Sequence, residues 1–100
     1  MNSRAKGKRN SNKCIKLLEK EGWVCADVEK ASKYISKKDL FNLWDVMAIK
    51  PFRTKLIQVK SNRKPVLKPY LDFRIEYPQF ECEVWIHIDR KGFKIIRLVD

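Results

Sequence analysis

An acid, an amide and an amine stand near the ends of two short apolar runs. Asp45 falls in the run Trp44–Ile49, Gln58 falls in the run Leu56–Val59, and Lys60 directly follows that run. A short linker containing proline separates the runs, and this arrangement predicts a β-hairpin. A turn centred near Phe52–Arg53 would set Asp45 opposite Lys60, Met47 opposite Gln58 and Ile49 opposite Leu56. Side chains alternate along strands, so Asp45, Gln58 and Lys60 share one face. They form either a site for polar chemistry or a solvated cross-strand ion pair, which is worth little.

The charge of the chain points to an anionic partner. Its 100 residues include 23 Lys and Arg against 12 Asp and Glu, giving a net charge of +11 and a sequence pI near 9.8. Such an excess on one domain is typical of proteins that bind nucleic acid. A hydrophobic fraction of 44% indicates a globular chain. Nothing in the sequence predicts a membrane span, a basic amphipathic membrane helix or a signal peptide.

Cysteine and histidine chemistry has little support in this sequence. Cys14, Cys25 and Cys82 form no C-x-x-C pair, and His87 is the only histidine. A zinc site needs four N or S ligands at regular spacing, and a disulfide framework needs paired cysteines. We therefore expect small buried thiols in a reducing cytoplasm. His87 is expected to be a structural strand residue, which argues against a nucleophilic triad.

The remaining elements follow from periodicity and turn residues. A helix is predicted from Ser11 to Glu21, ended by Gly22, and a short, mostly buried strand from Trp23 to Val28. Residues 29–38 are predicted to form a loop. After the hairpin, a helix begins near Lys68–Pro69 and ends at Pro78, with Leu71 and Ile75 facing the sheet, although Leu71 to Tyr77 also alternates like a strand. Two strands follow, Glu81–Asp89 and Phe93–Val99. The order αβββαββ predicts a single α/β domain with a mixed sheet flanked by helices.

Basic residues cluster in three places that are candidates for contacting phosphates. They are a basic N-terminal arm over residues 1–10, the loop after the first strand, and the segment after the hairpin. The alternatives are a solubilising tail and solvated surface loops. The residues are Lys6, Lys8, Arg9, Lys13, Lys33, Lys37, Lys38, Arg63 and Lys64.

These features together resemble the PD-(D/E)xK nuclease superfamily, with its restriction-endonuclease-like core. The motif matches as Asp45 on strand two and Gln58-Val59-Lys60 on strand three. Within that superfamily the chain is similar to the small archaeal Holliday junction resolvases and their viral or plasmid relatives. The likeness rests on KGKRNSNK, LLEKEGW, DLFNLWDVMAIK and IQVKSNRK, from about Lys6 to Lys64, and on element order elsewhere.

The resemblance implies a catalytic set of Asp45, Gln58 and Lys60 with Mg²⁺ or Mn²⁺. Asp45, Gln58 and the backbone carbonyl of Val59 would be metal ligands, and Lys60 would orient the attacking water and the phosphate. Gln58 stands where the family usually has an acid. A family glutamate on the first helix falls near Asn10, Ser11 or Asn12 here. Asp39 is a candidate compensating acid or, alternatively, a turn cap.

The resulting prediction is an intracellular, metal-dependent endonuclease for branched or duplex DNA, encoded by an archaeal host, a virus or a plasmid. Symmetric cutting of two strands implies a homodimer, for which Phe52, Phe80 and Trp85 are candidate apolar contacts. One alternative is a DNA-binding accessory protein that has lost cleavage. Another is a single-stranded nucleic-acid binder that stacks bases on Tyr34, Trp23 or Trp44.

Overall fold

The computed structural model describes residues 3–28 and 43–99, whose elements follow the predicted order αβββαββ. The elements are α1 (Ser3–Lys20), β1 (Val24–Asp27), β2 (Val46–Lys50), β3 (Arg53–Ser61), α2 (Lys68–Glu76), β4 (Glu81–Ile88) and β5 (Gly92–Leu98). The predicted loop over residues 29–38, including Lys33, Tyr34, Lys37 and Lys38, lies outside the described residues, as does Asp39.

The strands form one mixed sheet in the order β1-β2-β3-β4-β5. The β3–β4 pair is parallel and the other pairs are antiparallel. Parallel neighbours need a crossover connection, and α2 lies in the connection from β3 to β4. α1 packs against β1, β2 and β3, while α2 packs against β4 and β5. The fold is therefore the predicted α/β sheet flanked by helices.

Each face of the sheet has its own buried core. The core beside α1 contains Cys14, Leu18, Trp23, Val46, Ala48, Ile57, Val59 and Trp85. The core beside α2 contains Trp44, Leu56, Tyr70, Cys82, Val84, Ile86 and Leu98. β4 serves both cores because alternate side chains point to opposite faces. Cys82, Val84 and Ile86 therefore share one face of the strand.

The central hairpin has a different register from the predicted one. Val46 pairs with Ile57, Met47 with Leu56 and Ile49 with Thr54, so each β2 residue meets a partner two positions earlier than expected. The turn consists of Pro51 and Phe52, and Phe52 has φ 64°. A bulky residue seldom adopts this left-handed conformation, which is why the sequence did not indicate so tight a turn. A shift of two residues leaves the side chains of β2 and β3 on their predicted faces. Trp44, before the bend at Asp45, lies in the core opposite to that of Val46.

Three local predictions are corrected. α1 begins at Ser3 rather than Ser11, so residues 3–10 are helical where an arm was expected. β1 is not mostly buried: Val24 is 66% exposed, because β1 stands at one end of the described sheet. α2 is confirmed as a helix, but Ile75 is 60% exposed, and Tyr70 is its buried residue.

Candidate active site and nucleic-acid face

The backbone of Asp45 is fixed between the end of β1 and β3. Its N–H donates to the carbonyl oxygen of Ile57 at 2.9 Å, and its own carbonyl accepts from the N–H of Val28 at 3.0 Å. The residue sits in a bend just before β2, so its side chain is free of the regular alternation. The N–H of Val59 donates to Asp45 Oδ2 at 3.0 Å. The carboxylate is thereby held against the last third of β3.

Gln58 connects the acid to the lysine. One end of its side-chain amide lies 2.7 Å from the carbonyl oxygen of Leu43 and 3.0 Å from Asp45 Oδ2, and the other end lies 3.3 Å from Lys60 Nζ. With the amide NH₂ towards Leu43 and Asp45, it donates to both oxygens while the amide oxygen accepts from Lys60. Gln58 is only 8% exposed. The predicted convergence of Asp45, Gln58 and Lys60 is observed, although the contact partner of Asp45 is Gln58 rather than Lys60.

The donor atoms of this site fit a small, hard divalent cation. Within residues 3–28 and 43–99, no three His, Cys, Asp or Glu side chains gather into a metal cluster. Mg²⁺, however, prefers oxygen ligands, and one or two carboxylates plus waters and substrate phosphate commonly hold it. Asp45 supplies a carboxylate, and the Gln58 side chain carries a neutral oxygen. Both are donor types that Mg²⁺ and Mn²⁺ prefer.

Asn10 is one of the three helix residues near which the resemblance places a glutamate. It is 2% exposed, and its Nδ2 donates to the Oγ of Ser61 at 2.6 Å. Ser61 follows Lys60 directly, so this bond ties α1 to the end of β3. The sequence carried a signal for its burial, since Asn10, Cys14 and Leu18 recur every four residues on one helix face. The helix predicted from the sequence begins at Ser11, so this contact was missed.

Several predicted phosphate contacts lie at the same end of the sheet as Lys60. Asn10 meets Ser61 at the end of β3, whereas Trp23, just after α1, meets Lys55 near the start of β3. α1 therefore runs antiparallel to β3, and its first turns extend about 10 Å beyond Ser61 at 1.5 Å per residue. This end carries the exposed side chains of Lys8, Arg9, Lys13, Arg63 and Lys64. Lys6 lies in α1 and is described by its backbone alone.

The opposite end of the hairpin holds a second group of charges that is internally paired. Lys55 Nζ lies 3.1 Å from Glu83 Oε2, with both side chains almost completely buried. The Nε1 of Trp85 donates to Glu83 Oε1 at 2.8 Å. Lys50, Arg53 and Lys55 each lie 4.6–4.7 Å from the ring centroid of Trp23. Lys55 is thereby enclosed by Glu83 and Trp23, whereas Arg53 remains half-exposed beside the ring.

Three aromatic residues cannot have the surface roles considered for them. Trp23 and Trp44 are 4% and 0% exposed, so neither offers a face on which a base could stack. Trp44 instead packs edge-to-face with Tyr70 and Phe73. Trp85 is 5% exposed and belongs to a core rather than to an apolar subunit contact. Phe52, by contrast, is fully exposed at the hairpin tip.

Comparisons with known proteins agree with this architecture. A scan against protein-family models found no match, and a search of curated proteins found none either. Among solved structures, the chain is similar to Hjc, a Holliday junction resolvase from the archaeal hyperthermophile Archaeoglobus fulgidus. The TM-score is 0.64 at 19% sequence identity, and the match covers 93% of this chain and 73% of that chain. This structural similarity confirms the α/β fold that was predicted from the sequence.

The helices carry no sign of a membrane span. Of those in the described ranges, none has the length and apolar character needed to cross a bilayer.

Proposed function

We propose that this protein is a divalent-cation-dependent endonuclease that cuts branched DNA. The observation that best supports the proposal is the contact of Gln58 with both Asp45 and Lys60 at one end of the sheet. The Gln58 amide bridges a carboxylate and an ammonium group. In phosphodiester hydrolysis, the carboxylate can bind a metal cation and the ammonium group can bind the phosphate. The structural likeness to a Holliday junction resolvase supports the same reaction class and a branched substrate.

Each residue of the site has a distinct role in this proposal. Asp45 Oδ2, the amide oxygen of Gln58 and the carbonyl of Val59 would hold Mg²⁺ or Mn²⁺. When bound, such a cation lowers the pKa of a coordinated water and offsets the negative charge that develops on phosphorus. Lys60 orients the scissile phosphate and stabilises its charge in the transition state. Ser61 and Asn10 keep the end of β3, and therefore Lys60, in place.

The basic end of the molecule provides the DNA-binding surface of the proposal. Lys8, Arg9 and Lys13 on α1 and Arg63 and Lys64 after β3 are exposed beside the site. Contacts from such residues to phosphates position a duplex without reading its sequence. A homodimer would present two such sites with two-fold symmetry, as symmetric cutting of a junction requires.

The test is cleavage of a labelled four-way junction and a matched duplex in Mg²⁺, Mn²⁺ or EDTA. The wild type should cut the junction only with metal. The Lys60→Ala and Asp45→Ala variants should lose about 10²-fold or more of the rate, as expected when a group stabilising the transition state is removed. Both variants should still bind the junction at the same salt concentration. Lys68→Ala is the control, since Lys68 pairs with Asp72 on exposed α2.

A non-cleaving DNA-binding protein is the second candidate, and one observation favours it. The neutral amide of Gln58 satisfies Asp45 and Lys60 by hydrogen bonds alone. In that case the junction would bind with steep salt dependence and remain intact in every metal, in the wild type as in the variants. That result would reject the nuclease and retain the binding surface.

A further inference from the structure

The Gln58 amide lies between hydrogen-bond acceptors on one side and a hydrogen-bond donor on the other. On one side are two oxygens, the Leu43 carbonyl at 2.7 Å and Asp45 Oδ2 at 3.0 Å, and on the other is Lys60 Nζ at 3.3 Å. Only one orientation satisfies all three by hydrogen bonds, with NH₂ towards the oxygens and the amide oxygen towards the ammonium. The terminal torsion of glutamine is broad and roughly two-fold, so the surroundings choose the orientation.

The opposite orientation would bring three oxygen atoms together. The Gln58 amide oxygen would then lie where its NH₂ lies, 2.7 Å and 3.0 Å from the Leu43 and Asp45 oxygens. Neighbouring ligands of an octahedral Mg²⁺ are about 2.9 Å apart, given metal–oxygen distances near 2.1 Å. Without a cation this arrangement is repulsive, and with one it is a set of ligands. The Val59 N–H donates to the same Asp45 oxygen and fixes its position.

We propose that the Gln58 amide turns over when a divalent cation binds, joining Leu43 and Asp45 as a ligand and releasing Lys60. This inference rests on the proposed cation site and adds a backbone ligand, the Leu43 carbonyl, that the sequence did not indicate. Turned over, the amide presents its NH₂ to Lys60 Nζ, and two donors cannot bond to each other. The ammonium group therefore leaves Gln58 and becomes available to a phosphate. Cation binding and the freeing of Lys60 are one event.

The direct test follows the side-chain amide of Gln58 by NMR in ¹⁵N-labelled protein without DNA. The resonance is assigned by its loss in Gln58→Leu. MgCl₂ should move both NH₂ protons in a saturable way, because their bonds to Leu43 and Asp45 are lost. KCl at matched ionic strength should not. The exposed amide of Gln79 is the internal control and should stay in place.

A double-mutant cycle on Mg²⁺ affinity tests the coupling to Lys60 separately. Lys60→Met should strengthen Mg²⁺ binding for two reasons. It removes a positive charge, and the Gln58 amide can then turn over without breaking a hydrogen bond to Lys60. In the Gln58→Leu background only the charge effect remains. The gain should therefore be about tenfold larger with Gln58 present, a coupling typical of residues that share one hydrogen-bond network.

The outcomes separate this inference from the proposed function. One outcome would overturn the amide rotation and keep the cation site. In that outcome, Mg²⁺ shifts the Val59 amide resonance in the wild type but not in Asp45→Asn, and the Gln58 resonance does not move. Lys60→Met would then change Mg²⁺ affinity equally in both backgrounds. An absence of any Asp45-dependent Mg²⁺ shift would overturn both. A saturable Gln58 shift with the larger gain would support both.

Discussion

Asn10 on α1 and Ser61 at the end of β3 are joined by a 2.6 Å hydrogen bond across 51 positions of sequence. Asn10 is 2% exposed, so its amide depends on this partner rather than on water. Because Ser61 adjoins Lys60, the bond also sets the distance between the basic helix and the candidate site. Two uncharged residues thus help to set the geometry of the candidate site.

Asn10→Ala should destabilise the fold by about 1–3 kcal/mol, because it removes a buried bond and leaves the Ser61 hydroxyl without its donor. Asn12→Ala is the matched control, as Asn12 is exposed on the same helix. Its effect should stay within about 0.5 kcal/mol. Urea unfolding measures both, and equal midpoints would show that the Asn10–Ser61 bond contributes nothing.

Glu83→Ala should be far more destabilising than Glu81→Ala. Glu83 neutralises the buried Lys55 and accepts from Trp85, so its loss leaves an uncompensated buried charge and should cost about 3–5 kcal/mol. Glu81 pairs with Arg53 at the surface, where a salt bridge contributes about 0–1 kcal/mol. Thermal or urea unfolding of the two variants provides the comparison. Similar losses would mean that burial of the Lys55–Glu83 pair does not matter.

The Arg53–Glu81 pair should make stability depend on pH in the acid range. Bidentate hydrogen bonds from Arg53, at 2.8 and 2.6 Å, lower the pKa of the Glu81 carboxyl below its usual value of 4.5. A carboxyl whose pKa is lower in the folded state stabilises the fold above its unfolded pKa, and this contribution is lost as pH falls through the folded pKa. The stability difference between wild type and Glu81→Gln should therefore shrink below about pH 4.5. A difference that stays constant down to pH 2 would refute the assignment.

The three thiols should differ in reactivity. Burial raises the pKa of Cys82 to about 11 and that of Cys14 well above its ordinary value, and both side chains are enclosed. Cys25 is partly exposed on β1, although burial still raises its pKa. Because the thiolate is the reactive form, an alkylating reagent at pH 8 should modify Cys25 slowly and leave the other two intact. Mass spectrometry of the native protein checks this, with urea-unfolded protein as the control in which all three react. Rapid modification of Cys14 would contradict the burial.

Local patterns were enough to predict most of the elements and the shared face of Gln58 and Lys60. The alternation in β4 and Pro69 at the start of α2 are signals carried by neighbouring residues, and both elements form where predicted. The convergence of Gln58 and Lys60 follows from the two-residue period of a strand. This period also explains why a register error of two positions did not move the site to the other face.

The sequence by itself therefore determined the basic charge, the element order and the shared face of Gln58 and Lys60. Tertiary structure decided the hairpin register, through a left-handed Phe52 that no propensity favours. It also decided which polar residues are buried, since Asn10 finds Ser61 and Lys55 finds Glu83 across long stretches of chain. A buried polar group is tolerated only where a partner meets it, and partners distant in sequence are brought together only by the completed sheet.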